Sequence, residues 1–289
     1  MNTQSWKLAR RSLSFGERTL VMGVLNVTPD SFSDGGQFFD EDDAVRRGEE
    51  MIAEGADMID VGGESTRPGV GEVVSADEEL RRVIPIIERL AKTSVVPISV
   101  DTSKAVVARA ALEAGAEIIN DISALRFDFH IADEAAKAGA GLVLMHSRGT
   151  PGTLHRLPPA PDIFAEVFTS LRRSLNMAER RGVLRESIAL DPGIGFGKTF
   201  EQNLELIARL DKFAQHFADF PILIGASRKS FIGRLLDDAP ANERLHGTMA
   251  TVAAAVLKGA HIVRVHDVRA AVETVRVADA LKREGERGE

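Results

Sequence analysis

The chain has no cysteine at any of its 289 positions. Disulfides, thiolate metal sites and cysteine nucleophiles are therefore excluded. It also lacks long apolar runs. No stretch reaches the roughly 18 residues of a membrane-spanning helix, and the N-terminal MNTQSWKLARRSLSFGERT has no apolar core of the kind a secretory signal needs. A positive balance is missing too: 36 Lys and Arg stand against 43 Asp and Glu, a formal net charge of -7. That argues against general nucleic-acid binding but leaves room for an anion pocket built from a few local arginines. The seven histidines form no HxxxH or HExxH pattern, so a histidine zinc site is not indicated. These absences predict a soluble cytoplasmic protein with neither nucleic-acid nor membrane partners.

Two phosphate-loop patterns are also missing, narrowly. In DPGIGFGKTF (Asp191–Phe200) a Walker A loop needs Gly where Pro192 stands, and the dinucleotide pattern GxGxxG needs Gly where Lys198 stands. The segment reads as a glycine-rich turn.

What is present is a repeated phrase. GADMIDVGG, GAEIINDIS, GAGLVLMHS and GAHIVRVHD begin at Gly55, Gly115, Gly139 and Gly259. Each follows a segment of helical character, as a glycine that closes a helix before a buried strand would. VVPISVD, SIALDPG, FPILIGAS and the early TLVMGVLN supply four more apolar runs, making eight candidate strands alternating with helices. With 44% hydrophobic residues and no low-complexity linker, the pattern predicts one α/β domain, a single (β/α)₈ TIM barrel spanning 1–289. A short N-terminal extension, 1–18, precedes it, and a frayed charged tail is expected from about residue 283. The Pro-rich RLPPAPD (Arg156–Asp162) reads as a surface connection before a helix starting near Ile163.

In such barrels the C-terminal strand ends carry the site. Here they carry Asn26, Asp60, Asp101, Asn120 with Asp121, His146, Asp191, the SRKS run (Ser227–Ser230) and Arg264 with His266. Strand parity sharpens this, because alternate residues share a face. Five residues after the repeated glycine stand Asp60, Asn120 and Arg264; seven after it stand His146 and His266. Both offsets are odd, so all five are expected to face the barrel interior. Asp101, Asn120 and Asp191 suit a flat heterocycle with adjacent N–H donors. Arg67, Arg264 and His266 suit phosphate groups, and the Asn26 carbonyl oxygen suits Mg²⁺. Together they point to a planar nitrogen heterocycle joined to a phosphate-type leaving group.

The motifs NVTPDSFSDGG, DVGGESTRPG, SVDTSK, INDISAL, LMH, DPGIGFGK, GASRKSF and VRVHDV occur in that order between about Val21 and Val268. In this the chain resembles the dihydropteroate synthases of the pterin-binding family, over nearly its whole length. The resemblance implies a TIM barrel that condenses 6-hydroxymethyl-7,8-dihydropterin diphosphate with 4-aminobenzoate in folate biosynthesis. It also implies Mg²⁺, sulfonamide sensitivity and a homodimer, here expected through the C-terminal helices. Carried over by motif, the pterin pocket falls on Asp101, Asn120, Met145, Asp191 and Lys229. The diphosphate site falls on Asn26, Arg67, Arg264 and His266, with Asn26 also facing the metal. The 4-aminobenzoate site falls on Thr66, Pro68, Phe196, Lys229 and Ser230, with Phe32 expected as an apolar wall. Asp101, Lys229, Arg264, His266 and Asn26 are the expected catalytic set, and Asp60 supports Asn26 or the pterin edge. Ser147 and Arg148 depart from the pattern, which has an apolar residue after LMH. Two alternatives stand beside this: a methyltetrahydrofolate:corrinoid methyltransferase-like barrel, which needs no diphosphate cations, and a non-catalytic paralogue.

Overall fold

The four repeated glycines show why the chain alternates as it does. A computed structural model describes residues 4–28, 41–64, 74–150, 153 and 157–287. In it Gly55, Gly115, Gly139 and Gly259 all have positive φ, between 63° and 118°. Each ends a helix by turning left-handed, a conformation open to glycine at little steric cost. The turn delivers the chain straight into a parallel strand.

A hairpin opens the chain: β1 (Gln4–Lys7) and β2 (Ser12–Phe15) pair antiparallel. Eight strands follow: β3 (Leu20–Asn26), β4 (Met58–Gly62), β5 (Ile98–Asp101), β6 (Ile118–Asp121), β7 (Gly141–Met145), β8 (Ile188–Asp191), β9 (Leu223–Ile224) and β10 (Ile262–Val265). They lie parallel in the order β8-β7-β6-β5-β4-β3-β10-β9, and a bridge between Leu190 and Ile222 joins the two ends. The helices between them are α1 (Glu41–Ala53), α2 (Ala76–Thr93), α3 (Ala105–Ala114), α4 (Ile131–Ala138), α5 (Ile163–Arg180), α6 (Phe200–Ala208), α7 (Leu210–His216), α8 (Ser230–Leu235), α9 (Leu245–Leu257) and α10 (Val268–Arg287). This is the expected (β/α)₈ barrel. The last helix runs through Arg287, so the charged stretch expected to fray from about 283 is helical to that point.

Two apolar layers result from strand alternation. Residues such as Val21, Ile59, Val100, Ile119 and Leu144 pack outward under the helices. Met22, Met58, Ile118, Val143, Ala189 and Ile262 pack inward and meet Trp6, Leu8 and Phe15 of the hairpin. The N-terminal extension is therefore the floor of the barrel. Trp6 is fully buried, and its indole N–H donates to the Ser187 carbonyl at 2.9 Å. Arg10 and Arg11 tie the hairpin to the buried Glu117. The floor is filled by side chains, and the polar strand ends lie at the opposite rim. Among the described residues, no helix is long and apolar enough to cross a membrane.

Candidate active site

The inward positions above the floor carry the polar set. Arg264 sits at the centre. Its Nε donates to Asp60 Oδ2 at 2.6 Å and its Nη2 to Asp101 Oδ2 at 2.7 Å. Asn120 Nδ2 donates to the same Asp60 oxygen at 2.9 Å. Asp60 has no exposed side-chain surface, and its Oδ1 has no hydrogen-bond partner among the described residues. Among the described residues, the side-chain partners of Asp60 are Arg264 and Asn120. Asp191 accepts from the Gly193 amide at 2.6 Å. Gly225 lies between Asp191 and Arg264: a Cβ there would stand 3.9 Å from Asp191 Oδ2 and 3.8 Å from Arg264 Cβ. Met145 is buried and pairs in register with Asp191.

His146 departs from the parity expectation. His146 was expected inside with His266, but Leu142 and Leu144 of its strand pack outward and Val143 packs inward. His146 follows the outward series. The cause is a one-residue difference in the strand entry. Ile118, three after its glycine, pairs with Gly141, which is only two after its own. Ladder register sets the face, not the count from the helix cap. A side chain at Gly141 would also strike Leu8 of the floor, at 2.6 Å. His146 is buried, and its Nδ1 has no hydrogen-bond partner among the described residues. Burial, with the neighbouring cations, pushes its pKa down to about 2, so it stays neutral.

The other groups are tuned by burial. It pushes the Asp101 carboxyl up to about 7 against the pull of Arg264, with Asp60 adding to the rise. It raises Asp191 against Lys229, and pulls the Lys229 ammonium down to about 8 against Asp191. The raised Asp101 carboxyl holds a proton that an unfolded chain releases, so its contribution to folding stability falls as pH rises from about 4 to 7, and Asp191 acts in the same direction. Lys229 acts oppositely between about 8 and 10.5, where the unfolded chain holds the extra proton. At neutral pH the polar rim therefore subtracts from stability, as pre-organised sites do.

Lys229 donates to the Ile194 carbonyl and stands 4.5 Å from the centre of the Phe196 ring. Ser230 is exposed at the start of α8. His266 Nδ1 lies 2.9 Å from Ser227 Oγ. Asn26 ends β3 on the inward side, in series with Leu20 and Met22. Thr28 is buried just beyond it. Thr66, Arg67, Pro68 and Phe32 lie outside the described residues.

Several residues around the rim have partners that the sequence does not indicate. Arg228 has φ of 58° and clasps the Asp267 carboxylate with two donors, holding the Lys229 loop to the end of β10. Lys104 bridges Glu64 and the buried Glu79 at the base of the second strand end. Asp121 faces outward and accepts from Ser123 and Leu125, fixing the turn after β6. Arg148, whose role was open, links three segments: it donates to Glu166, to the Pro158 carbonyl and to the Gly197 carbonyl. All these residues stand inside the motifs already quoted or beside them. Their spacing alone gave no sign of which partner each would meet.

Residues 22–266 match the sequence profile of a family described as pterin binding enzyme. A dihydropteroate synthase from Synechocystis is 49% identical over 269 residues, which is 93% of this chain and 92% of that protein. A Yersinia pestis dihydropteroate synthase, solved in a sulfonamide drug complex, superposes with a TM-score of 0.90 at 39% identity, over 97% of this chain and 100% of that one. A Burkholderia cenocepacia dihydropteroate synthase, solved with 7,8-dihydropteroate, gives 0.87 at 42% identity, with 99% of each chain covered.

Proposed function

The chain belongs to the family of pterin binding enzymes, and we infer that it is the transferase of folate biosynthesis that joins 6-hydroxymethyl-7,8-dihydropterin diphosphate to 4-aminobenzoate. The products are 7,8-dihydropteroate and diphosphate. The observation that carries the reading is the rim itself, where Arg264 bonds Asp101 and Asp60, Asn120 shares Asp60 with it, and Asp191 and Lys229 lie beside them. Carboxylates accept the amino-amidine edge of a pterin, and cations take the leaving group.

In this reading Asp191, Asp101 and Asn120 hold the heterocycle, with Met145 as its apolar contact. The C–O bond between the pterin methylene and diphosphate breaks, and the electron pair leaves with diphosphate. Arg264, His266 and Arg67 stabilise that charge, while Asp101 and Asp191 favour the positive charge developing on the pterin. The amine of 4-aminobenzoate, held by Thr66, Pro68, Phe196 and Ser230 with Phe32, attacks the methylene and then releases a proton to solvent. An aniline nitrogen is already unprotonated at neutral pH, so no strong general base is required. Lys229 serves both pockets, facing Asp191 on one side and Phe196 on the other.

The donor set also fits Mg²⁺. No group of three or more His, Cys, Asp or Glu suited to a metal occurs among the described residues. The Asn26 amide oxygen is a hard donor at the rim, suited to an ion that keeps waters and is shared with phosphate oxygens. When bound, Mg²⁺ would neutralise charge building on the leaving diphosphate.

The test is pyrophosphate release from the pterin diphosphate. Release that depends on 4-aminobenzoate is expected; none with both substrates present would overturn the reading. Across pH, kcat/KM should fall about tenfold per unit above about 8, as Lys229 loses its proton. A profile flat to pH 10 would remove Lys229 from the site.

A homodimer through the C-terminal helices is part of the same proposal. α9 and α10 pack together, yet Leu257 on one and Val277 and Leu281 on the other stay 48%, 62% and 61% exposed. Exposed apolar surface of this kind is what a second copy covers. Sedimentation showing only monomer at micromolar concentration would refute it.

A further inference from the structure

Lys198, the residue that broke the dinucleotide pattern, is used by none of the steps above. Its ammonium donates to three main-chain carbonyls: Gly193 at 2.7 Å, Phe196 at 3.2 Å and His146 at 3.3 Å. Three carbonyls match the three donors of an ammonium. Burial lowers its pKa well below the usual lysine value, with Asp191 opposing. The turn it grips is tightly seated. Gly193 has φ of 69°, and a Cβ there would lie 1.8 Å from the His146 carbonyl oxygen. At Gly195, with φ of 86°, a Cβ would lie 2.9 Å from Lys229 Cδ. One side of the turn thus abuts the end of β7 and the other abuts Lys229. The turn also carries the Gly193 amide that donates to Asp191, the Ile194 carbonyl that accepts from Lys229, and the Phe196 ring. Arg148 holds the far end through Gly197 and is itself braced by Glu166 at 2.7 Å.

We propose that Lys198, assisted by Arg148, is a positioning residue that pins residues 192–197 against the end of β7 and thereby sets the distance between Asp191 and Lys229. This rests on the reading of that pocket as the pterin site. Without the ammonium, the Gly193 and Phe196 carbonyls lose their common donor. The turn then relaxes away from His146, carrying with it the groups that hold Asp191 and Lys229.

The test is Lys198→Met, read by calorimetric pterin affinity, steady-state kinetics and amide exchange. Pterin affinity should fall at least about tenfold, with KM for the diphosphate substrate moving more than kcat. Exchange of the 193–197 amides should speed up by about tenfold or more, while β3–β6 amides stay protected. A folded variant with unchanged affinity and unchanged exchange overturns the proposal, since a merely structural lysine would change melting temperature alone. If Lys198→Met does not fold, Arg148→Met decides: about a threefold to fivefold rise in the same KM is expected, and no rise overturns the proposal. Asp191→Asn serves as the control. If it leaves pterin affinity intact, the pterin reading has failed and the inference falls with it. If it abolishes affinity and Lys198→Met does nothing, only the positioning role has failed.

Discussion

Arg264→Ala should lose turnover and stability together. Among the described residues, Arg264 is the one cation bonded to both Asp60 and Asp101, and Asp60 has no exposed side-chain surface. Removing one partner of a buried ion pair strands the other, at a cost of about 3–5 kcal/mol. Kinetically, the loss of one pre-organised donor at developing charge should lower kcat about 10²–10³-fold. The two effects separate in the double variant Asp60→Asn with Arg264→Met. It relieves the stranded carboxylate, so the melting temperature should recover while pyrophosphate release stays low. Arg264→Lys should recover little activity, because an ammonium does not reproduce a planar fork spanning two carboxylates. Unchanged turnover and pyrophosphate binding in Arg264→Ala would remove this residue from the leaving-group site.

Asp191→Asn should behave differently, losing ligand without losing fold. The substitution keeps an oxygen to accept the Gly193 amide, now 2.6 Å away. It also removes a carboxylate that burial already disfavours, which offsets the lost attraction to Lys229. Stability should therefore stay within about 1 kcal/mol of the parent. Pterin recognition fares worse. A charge-assisted pair of hydrogen bonds becomes at best one, and an amide NH₂ faces the ligand's own donors. A loss of about 10²-fold or more in pterin affinity is expected by calorimetry. Unchanged affinity would sink the assignment of the heterocycle to this strand end.

Much of the site was legible because its residues recur at strand ends. Asp60, Asn120 and Arg264 share an offset from a repeated glycine, and the structure bonds Asp60 to both of the others. The same counting misassigned His146. An offset measures distance from a helix cap, whereas facing is decided by the ladder, and β7 enters one residue earlier than β6. Arg148 shows the converse. It looked anomalous beside the family pattern, yet its guanidinium joins the loop after β7 to the turn after β8. Sequence distance between those two segments is large, and no local signal couples them.

What the sequence determined by itself is the alternation of helix and strand, the count of eight, and the residue types at each strand end. Those follow from local rules: hydrophobic period, glycine caps and the pleat. The tertiary structure decided the partners. It folded an unassigned N-terminal extension into the floor that leaves one rim open. It set Arg264 between two carboxylates, Asp60 and Asp101. It also set the half-buried Lys198 among three carbonyls, at the position where the dinucleotide pattern fails. Each of these depends on which distant segments share a ladder or a wall, and closure of the barrel is what brings them within a hydrogen bond.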